Sequence, residues 1–315
     1  MTTPTDGRTR DLAGRRIQAS VSHSVAMGTL PHGPRPGTPR ALKVALEGIE
    51  IIHPEQLRGT IRHALFDFDG TISLLRQGWQ QVMVPLMVEV LLQTPQCEPE
   101  AELERYVQEL VTVTTGQQTI FQMMRLADEV RKRGGQPQPA SAYKREYLRR
   151  LWEHIKGRLR AVECGQTPPE EMMVPAAVAM LKALRERGVR CYLASGTDEP
   201  DVRHEAAILG VSGYFAAIHG ARDERPKDAK MVAIRSIFAQ QQVQGSELVT
   251  FGDGYIEIED TKRVGGLAVG VASDELNPGG MDQRKRSVLI RAGADIIIPD
   301  FRCWQPLVAL LFGEV

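Results

Sequence analysis

The sequence predicts an α/β protein whose parallel sheet is interrupted by an inserted block of helices. From about residue 171 to the C-terminus, apolar strand-like segments alternate with helical segments, a pattern typical of a parallel sheet with crossover helices. Another apolar strand-like segment, 62–67, lies far upstream of this region. The residues between them have helical periodicity, so we expect the upstream strand to join the same sheet and the helices to form an insertion.

The N-terminal residues carry little structural signal. Residues 1–40 are rich in Gly, Pro, Thr, Ser and Arg without a helical or strand period, which predicts a disordered tail. Residues 41–60 form an N-terminal extension before the first core strand. Its segment 41–52, ALKVALEGIEII, fits either a short helix or a pair of strands around Gly48.

The predicted α/β core consists of residues 61–76 and 171–315. After the insertion, we expect strands at 190–195, 214–220, 248–253, 267–273 and 294–300. The helices between them are expected at 175–188, 199–209, 228–240, 256–264 and 281–292. This regular alternation is the reason for predicting that the strands run parallel.

Residues 77–170 are predicted to form an all-helical domain. Its helices are expected at 78–92, 100–113, 118–133 and 140–159, and the first should be buried on several sides because it is apolar nearly all round. Residues 131–160 contain ten Lys or Arg and two Glu. This basic stretch fits a solvated helix face, or a face that overlooks the functional site and attracts an anionic substrate.

Composition argues against several functions. The 315 residues have a formal net charge of zero and 5% aromatic residues, so neither nucleic acid nor a membrane surface is an expected partner. No apolar run of about 18 residues is present, so no transmembrane helix is expected. The four cysteines form no CxxC pair, which argues against a zinc site or disulfide framework and fits a cytoplasmic protein.

Residues that offer polar side chains or a free backbone N–H follow the predicted strands. They are Asp67 and Asp69 after the first strand, Ser195 and Gly196 after the second, Lys227 before a helix, and Asp253 with Glu257 after a later strand. Ligands of parallel sheets bind where strands end, so we expect these groups to converge. Clustered carboxylates suit Mg²⁺, while a hydroxyl, a turn N–H and a lysine suit a phosphate. A carboxylate held beside both can attack phosphorus.

These segments resemble the motifs of the haloacid dehalogenase superfamily of phosphohydrolases. FDFDGT matches its first motif, YLASGT the second and FGDGYIE the fourth, while RPKDAK contains the third-motif lysine. The resemblance covers residues 60–73 and 173–302, and Glu257 stands where the family often has aspartate. It implies a Rossmann-like parallel sheet with an inserted helical (C1-type) cap at 77–170, similar to phosphoglycolate phosphatase and β-phosphoglucomutase.

The resemblance also implies catalytic and metal-binding roles for the acidic residues. Asp67 would be the nucleophile that forms an aspartyl-phosphate, and Asp69 would be the general acid and then the general base. Mg²⁺ would be held by Asp67, by the backbone carbonyl of Asp69 and by Asp253, with Glu257 acting directly or through water. Glu257 also fits a first-turn helix acid that only favours the helix dipole.

The remaining motif residues would bind the phosphoryl group. By the same resemblance, the Ser195 hydroxyl and the Gly196 N–H would contact its oxygens, and Lys227 would balance the charge of nucleophile and phosphate. Lys230, one helical turn later, is an alternative to Lys227. Arg76 and Trp79 follow the first motif closely, where they could reach the substrate.

The predicted function is a Mg²⁺-dependent phosphatase that hydrolyses a small phosphorylated metabolite, such as a sugar phosphate or phosphoglycolate, through an aspartyl-phosphate. A phosphosugar mutase of the β-phosphoglucomutase type is the alternative enzyme. A non-catalytic binding or scaffold protein on the same fold is the alternative from another class. The expected partner is a small phosphorylated substrate, and the oligomeric state stays open.

Overall fold

A computed structural model describes residues 45–46, 48–57, 60–222, 229–241 and 243–314. The predicted tail at 1–40 lies outside the described residues. The described residues form one sheet in the order β1-β2-β8-β7-β6-β3-β4-β5. Its strands are β1 (Ala45–Leu46), β2 (Ile49–Ile51), β3 (His63–Phe66), β4 (Arg190–Asp198), β5 (Phe215–Ala221), β6 (Leu248–Gly252), β7 (Leu267–Val271) and β8 (Ile296–Ile298).

Strand β3 lies between β4 and β6 and is parallel to both. Phe66 at its carboxyl end is in register with Leu193 of β4 and Phe251 of β6. The chain builds the sheet on one side of β3 and then on the other, so a crevice forms at the carboxyl ends of these three strands. This crevice is where an α/β sheet binds its ligand.

The extension before β3 forms the antiparallel edge of the sheet. Strands β1 and β2 pair with each other, and β2 pairs with β8. Gly48 turns the chain between them with a φ of +79°, a conformation that favours glycine. Of the two interpretations of this segment, the strand pair is therefore correct.

Helices cover the sheet and fill the insertion. The insertion contains α1 (Gln80–Leu92), α2 (Glu100–Val113), α3 (Thr119–Lys132) and α4 (Ala140–Glu163). The later helices are α5 (Ala177–Glu186), α6 (Glu199–Ile208), α7 (Ala229–Gln241), α8 (Tyr255–Arg263), α9 (Gln283–Ala292) and α10 (Trp304–Leu311). The predicted α/β fold class is confirmed, although α10 was not predicted. Among the described helices, none combines the length and apolarity needed to cross a membrane.

The basic stretch at 131–160 is largely neutralised by ion pairs. Seven of its ten basic residues pair with carboxylates: Arg131, Lys132, Arg133, Lys144, Arg149, Arg150 and Lys156. Several of the partners, including Glu89, Glu98 and Asp198, come from other segments of the chain. Counting only the two Glu within 131–160 therefore overstated the positive charge of this stretch. The stretch fits paired helix faces better than a surface that attracts an anion.

An aromatic cluster supports the crevice from below. The rings of Phe66 and Phe251 stack with centroids 4.6 Å apart, and Phe301 lies 5.9 Å from Phe251. All three side chains are fully buried. Phe66 precedes Asp67 in the chain, so the packing of this cluster fixes the end of β3 from which the first acidic side chain projects.

We expect Phe66→Ala to lower the free energy of unfolding by about 3–5 kcal/mol, because it removes a buried ring and leaves a cavity. Urea denaturation followed by circular dichroism measures this change. The control is Leu276→Ala at a side chain that is 66% exposed, which should cost less than about 0.5 kcal/mol. Equal losses in the two variants would show that the aromatic cluster does not hold the sheet.

Candidate active site

Five of the residues that the sequence assigns to catalysis, phosphate binding or metal binding line one cavity at the carboxyl ends of β3, β4 and β6. They are Asp67, Asp69, Ser195, Gly196 and Asp253, and the cavity has a volume of about 80 Å³. The Asp67 N–H donates to the Phe251 carbonyl at 2.9 Å, which extends the β3–β6 pairing to the base of the site. Strand β4 continues to Asp198, so Ser195 and Gly196 lie inside the strand and not in a turn after it.

Asp67 is buried and paired with a lysine. Its Oδ1 lies 3.1 Å from Lys230 Nζ, and the same ammonium is 2.7 Å from Glu257 Oε2. Burial raises the pKa of Asp67 well above its usual value, while the Lys230 charge opposes this rise. Burial alone would lower the pKa of Lys230, but Asp67 and Glu257 raise it overall, so the ammonium stays charged. Lys227 lies outside the described residues.

Glu257 is held by its own helix and by Lys230. Gly254 caps α8, and its N–H donates to Glu257 Oε1 at 2.7 Å. A Cβ at Gly252 would lie 2.2 Å from Glu257 Cγ, so glycine at 252 makes room for this side chain. Since Lys230 binds Oε2, both carboxylate oxygens of Glu257 already have protein partners.

Asp253 contacts a lysine that the sequence reasoning missed. Lys285 Nζ lies 2.7 Å from Asp253 Oδ2 and 2.8 Å from Glu275 Oε1. Lys285 belongs to α9, which follows β7, and no motif marks it in the sequence. Only the position of β7 beside β6 in the sheet could have pointed to it, because the cation enters the site from the helix that follows this neighbouring strand.

Only one of the two carboxylate oxygens of Asp69 accepts hydrogen bonds from described residues. Its Oδ2 accepts hydrogen bonds from Thr197 Oγ1 at 2.7 Å and from Ser195 Oγ at 3.4 Å. Its Oδ1 is buried and has no hydrogen-bond partner among the described residues. Burial raises the pKa of Asp69, against the opposing effect of Arg76. At a given pH, a larger fraction of Asp69 is therefore protonated in this site than would be protonated in water.

Arg76 joins the site through a network of carboxylates. Its Nη2 lies 2.6 Å from Glu205 Oε1 and 3.3 Å from Asp201 Oδ2, and its Nε is 4.0 Å from Asp69 Oδ1. Glu205 is itself buried. Arg76 and Trp79 both line the cavity, as the sequence suggested, but Arg76 is already paired with acidic residues of α6.

The helical insertion covers the cavity. The loop between α2 and α3 approaches so closely that a Cβ at Gly196 would lie 2.9 Å from the Gln117 carbonyl oxygen. Gln117 Nε2 donates to Tyr255 Oη at 2.7 Å. Lys144 of α4 pairs with Asp198 at the end of β4 at 2.6 Å. These contacts join the insertion to the core on both sides of the cavity.

The acidic residues fit a hard divalent cation. Asp67, Asp253 and Glu257 are buried, and each offers a carboxylate oxygen within 4.8 Å of the others. Oxygen donors at this density suit Mg²⁺, and a cation would relieve the repulsion among the carboxylates. Because Glu257 already has two partners, Asp67 and Asp253 are the more available ligands. The Asp69 carbonyl, two residues after Asp67, is a further oxygen donor.

Comparisons with known proteins identify the family and the fold of the chain. A model of the haloacid dehalogenase-like hydrolase family matches residues 61–265 of the 315-residue chain. A structure described as a predicted phosphoglycolate phosphatase from Haemophilus somnus 129PT is 15% identical, covers 79% of this chain and 98% of its own, and has a TM-score of 0.52.

A β-phosphoglucomutase structure from Clostridium difficile is 12% identical, covers 81% of this chain and 98% of its own, and has a TM-score of 0.54. These identities establish a shared fold only. The comparison with curated proteins gave no match. The family match runs from β3 through the helical insertion to the end of α8. It includes every acidic residue that the sequence assigns to the site. The chain therefore belongs to the haloacid dehalogenase-like hydrolase family.

Proposed function

We propose that the protein is a Mg²⁺-dependent phosphatase of a small phosphorylated metabolite that acts through an aspartyl-phosphate on Asp67. The observation that carries the proposal is the juxtaposition of Asp67 and Asp69 in one covered cavity. Burial raises the pKa of both carboxyl groups, but Asp67 is paired with a buried ammonium, whereas Asp69 Oδ1 has no hydrogen-bond partner among the described residues. These are different environments for two neighbouring carboxyl groups, as a nucleophile and a general acid require.

In the first step, a carboxylate oxygen of Asp67 attacks phosphorus and forms the acyl-phosphate bond. The bond from phosphorus to the leaving oxygen breaks, and Asp69 gives its proton to that oxygen. Burial raises the pKa of Asp69, which increases the fraction that holds this proton near neutral pH. Asp69 Oδ1 is the atom suited to carry it, since Thr197 and Ser195 occupy Oδ2.

In the second step, the ionised Asp69 takes a proton from a water molecule that attacks the same phosphorus. The acyl-phosphate bond breaks, inorganic phosphate leaves, and Asp67 returns to its carboxylate form. The helical insertion, residues 77–170, acts as a cap that covers the core at 61–76 and 171–315 during the first step. A covered cavity limits access of water and strengthens electrostatic interactions inside it.

The phosphoryl oxygens contact Ser195, Gly196 and Lys230 in this proposal. Lys230 takes the role of the third-motif lysine because its ammonium already lies 3.1 Å from Asp67 Oδ1. Asp67, Asp253 and the Asp69 carbonyl would hold Mg²⁺, and Glu257 would act through Lys230 or water. When bound, the metal neutralises negative charge on the transferring phosphoryl group. A phosphosugar mutase remains the second candidate, because the same covered carboxylate pair would also serve transfer between two hydroxyls.

We expect Asp67→Asn to reduce phosphate release from p-nitrophenyl phosphate by about 10³-fold or more, because an amide is a poor nucleophile. Circular dichroism confirms folding. The matched control is Asp300→Asn, which alters a buried aspartate that pairs with Arg302 outside the cavity. Asp300→Asn should keep most of the activity. A folded Asp67→Asn protein with normal activity would refute the proposed nucleophile.

The two candidate lysines can be separated by substitution. Lys230→Gln should lower kcat by about 10²-fold or more, because it removes the cation beside the nucleophile, whereas Lys227→Gln should have a much smaller effect. Steady-state phosphate release measures both variants, and Lys230→Arg tests whether a positive charge restores activity in case Lys230→Gln folds poorly. A large loss with Lys227→Gln and none with Lys230→Gln would assign the role to Lys227.

Metal binding should depend on Asp253. We expect isothermal titration to give Mg²⁺ binding to the wild type, and binding at least about tenfold weaker in Asp253→Asn, because one of the carboxylate ligands is lost. Asp300→Asn is again the control and should bind Mg²⁺ normally. Activity should disappear in excess chelator and return with added Mg²⁺. Full activity in chelator would contradict the metal requirement.

A further inference from the structure

The charge of the cavity lining indicates which leaving group the cavity accepts. Apart from the acidic residues, the lining consists mainly of uncharged side chains: Trp79, Thr115, Gln117, Thr119, Gln122 and Tyr147. Among the described residues, the cations in this lining are Arg76 and Lys230, while Lys285 lies behind Asp253 and pairs with Asp253 and Glu275. Lys230 is engaged with Asp67 and Glu257 at the nucleophile. Within the described part of the lining, recognition of an anionic leaving group would therefore depend on Arg76.

The carboxylates around Arg76 carry more negative charge than its single positive charge can balance. Oxygens of Asp69, Asp201 and Glu205 lie 4.0, 3.3 and 2.6 Å from its guanidinium. Even with Asp69 protonated, as the first chemical step requires, two carboxylates remain around one positive charge. A leaving group with its own carboxylate would add a third negative charge here, and like charges in a buried site repel strongly.

The walls of the cavity also suit an uncharged, polar leaving group. Hydroxyl, amide and indole N–H groups on the walls can hydrogen-bond to hydroxyl groups of such a leaving group.

We propose that the substrate is a phosphate monoester of a small uncharged alcohol or polyol, and that Glu205 and Asp201 enforce this choice by neutralising Arg76. The inference rests on the proposed phosphatase function and narrows its substrate class. It distinguishes two substrate classes that the sequence left open. The leaving group of a sugar or polyol phosphate is uncharged, whereas the leaving group of phosphoglycolate carries a carboxylate.

Two matched substrate pairs test the inference. Glycerol 3-phosphate differs from 3-phosphoglycerate, and 2-hydroxyethyl phosphate differs from phosphoglycolate, by a CH₂OH group in place of a carboxylate. With the full-length protein and Mg²⁺, we expect kcat/KM for phosphate release to favour the alcohol of each pair by about tenfold or more. Equal or higher kcat/KM for the carboxylates would overturn the inference.

A generic substrate distinguishes failure of the inference from failure of the proposed function. Hydrolysis of p-nitrophenyl phosphate with all four test substrates inert would overturn the inference alone. No phosphate release from any of the five compounds, by a folded protein that binds Mg²⁺, would overturn the phosphatase function itself.

Substitutions around Arg76 test the residues responsible. Glu205→Gln removes one carboxylate from the guanidinium, so the preference for the alcohol should fall by about fivefold or more. Glu199→Gln is the matched control on the same helix, because Glu199 pairs with Arg203 and Arg222 instead. If Glu205→Gln folds poorly, Asp201→Asn replaces it at a side chain that is 49% exposed. An unchanged preference in the folded variants would show that this network does not select the leaving group.

Discussion

The concentration of buried negative charge at one end of the parallel sheet is the constraint on which the rest of the structure depends. Four carboxylates there are less than one-tenth exposed: Asp67, Glu205, Asp253 and Glu257. Unpaired, they would repel one another and lose their hydration. Cations from three different elements neutralise them: Arg76 from the segment before α1, Lys230 from α7 and Lys285 from α9. The charge balance of the site therefore couples the sheet to the surrounding helices.

The same constraint explains why the insertion lies over the cavity. Gln117 and Lys144 connect the insertion to Tyr255 and Asp198 of the core, so the charged groups are covered as well as paired. Covering the site raises the strength of every charge interaction inside it. It also raises the penalty for an unmatched charge, so the surplus of carboxylates around Arg76 would disfavour an anionic leaving group in our proposal. Catalysis and selectivity would thus follow from one electrostatic arrangement.

Local patterns were enough to predict the fold class and the positions of the acidic residues. Apolar runs and helical periodicity depend on near neighbours in the chain, so the strands and long helices could be predicted from them. Ion pairs between residues that are far apart in the chain could not be predicted in this way. Glu205 with Arg76 and Lys285 with Asp253 join distant segments, and no spacing rule connects them. The short strands around Gly48 stayed ambiguous because two or three residues carry no distinct period.

Trapping of the phosphoenzyme tests the central claim most directly. A single turnover of p-nitrophenyl phosphate is quenched in acid, and the acyl-phosphate is reduced with borohydride, which converts a phosphorylated aspartate to homoserine. Tandem mass spectrometry of the peptide that contains both Asp67 and Asp69 then identifies the modified residue. The account predicts homoserine at position 67, with Asp69 unmodified. Homoserine at 69, or full turnover without any trapped intermediate at 67, would contradict it.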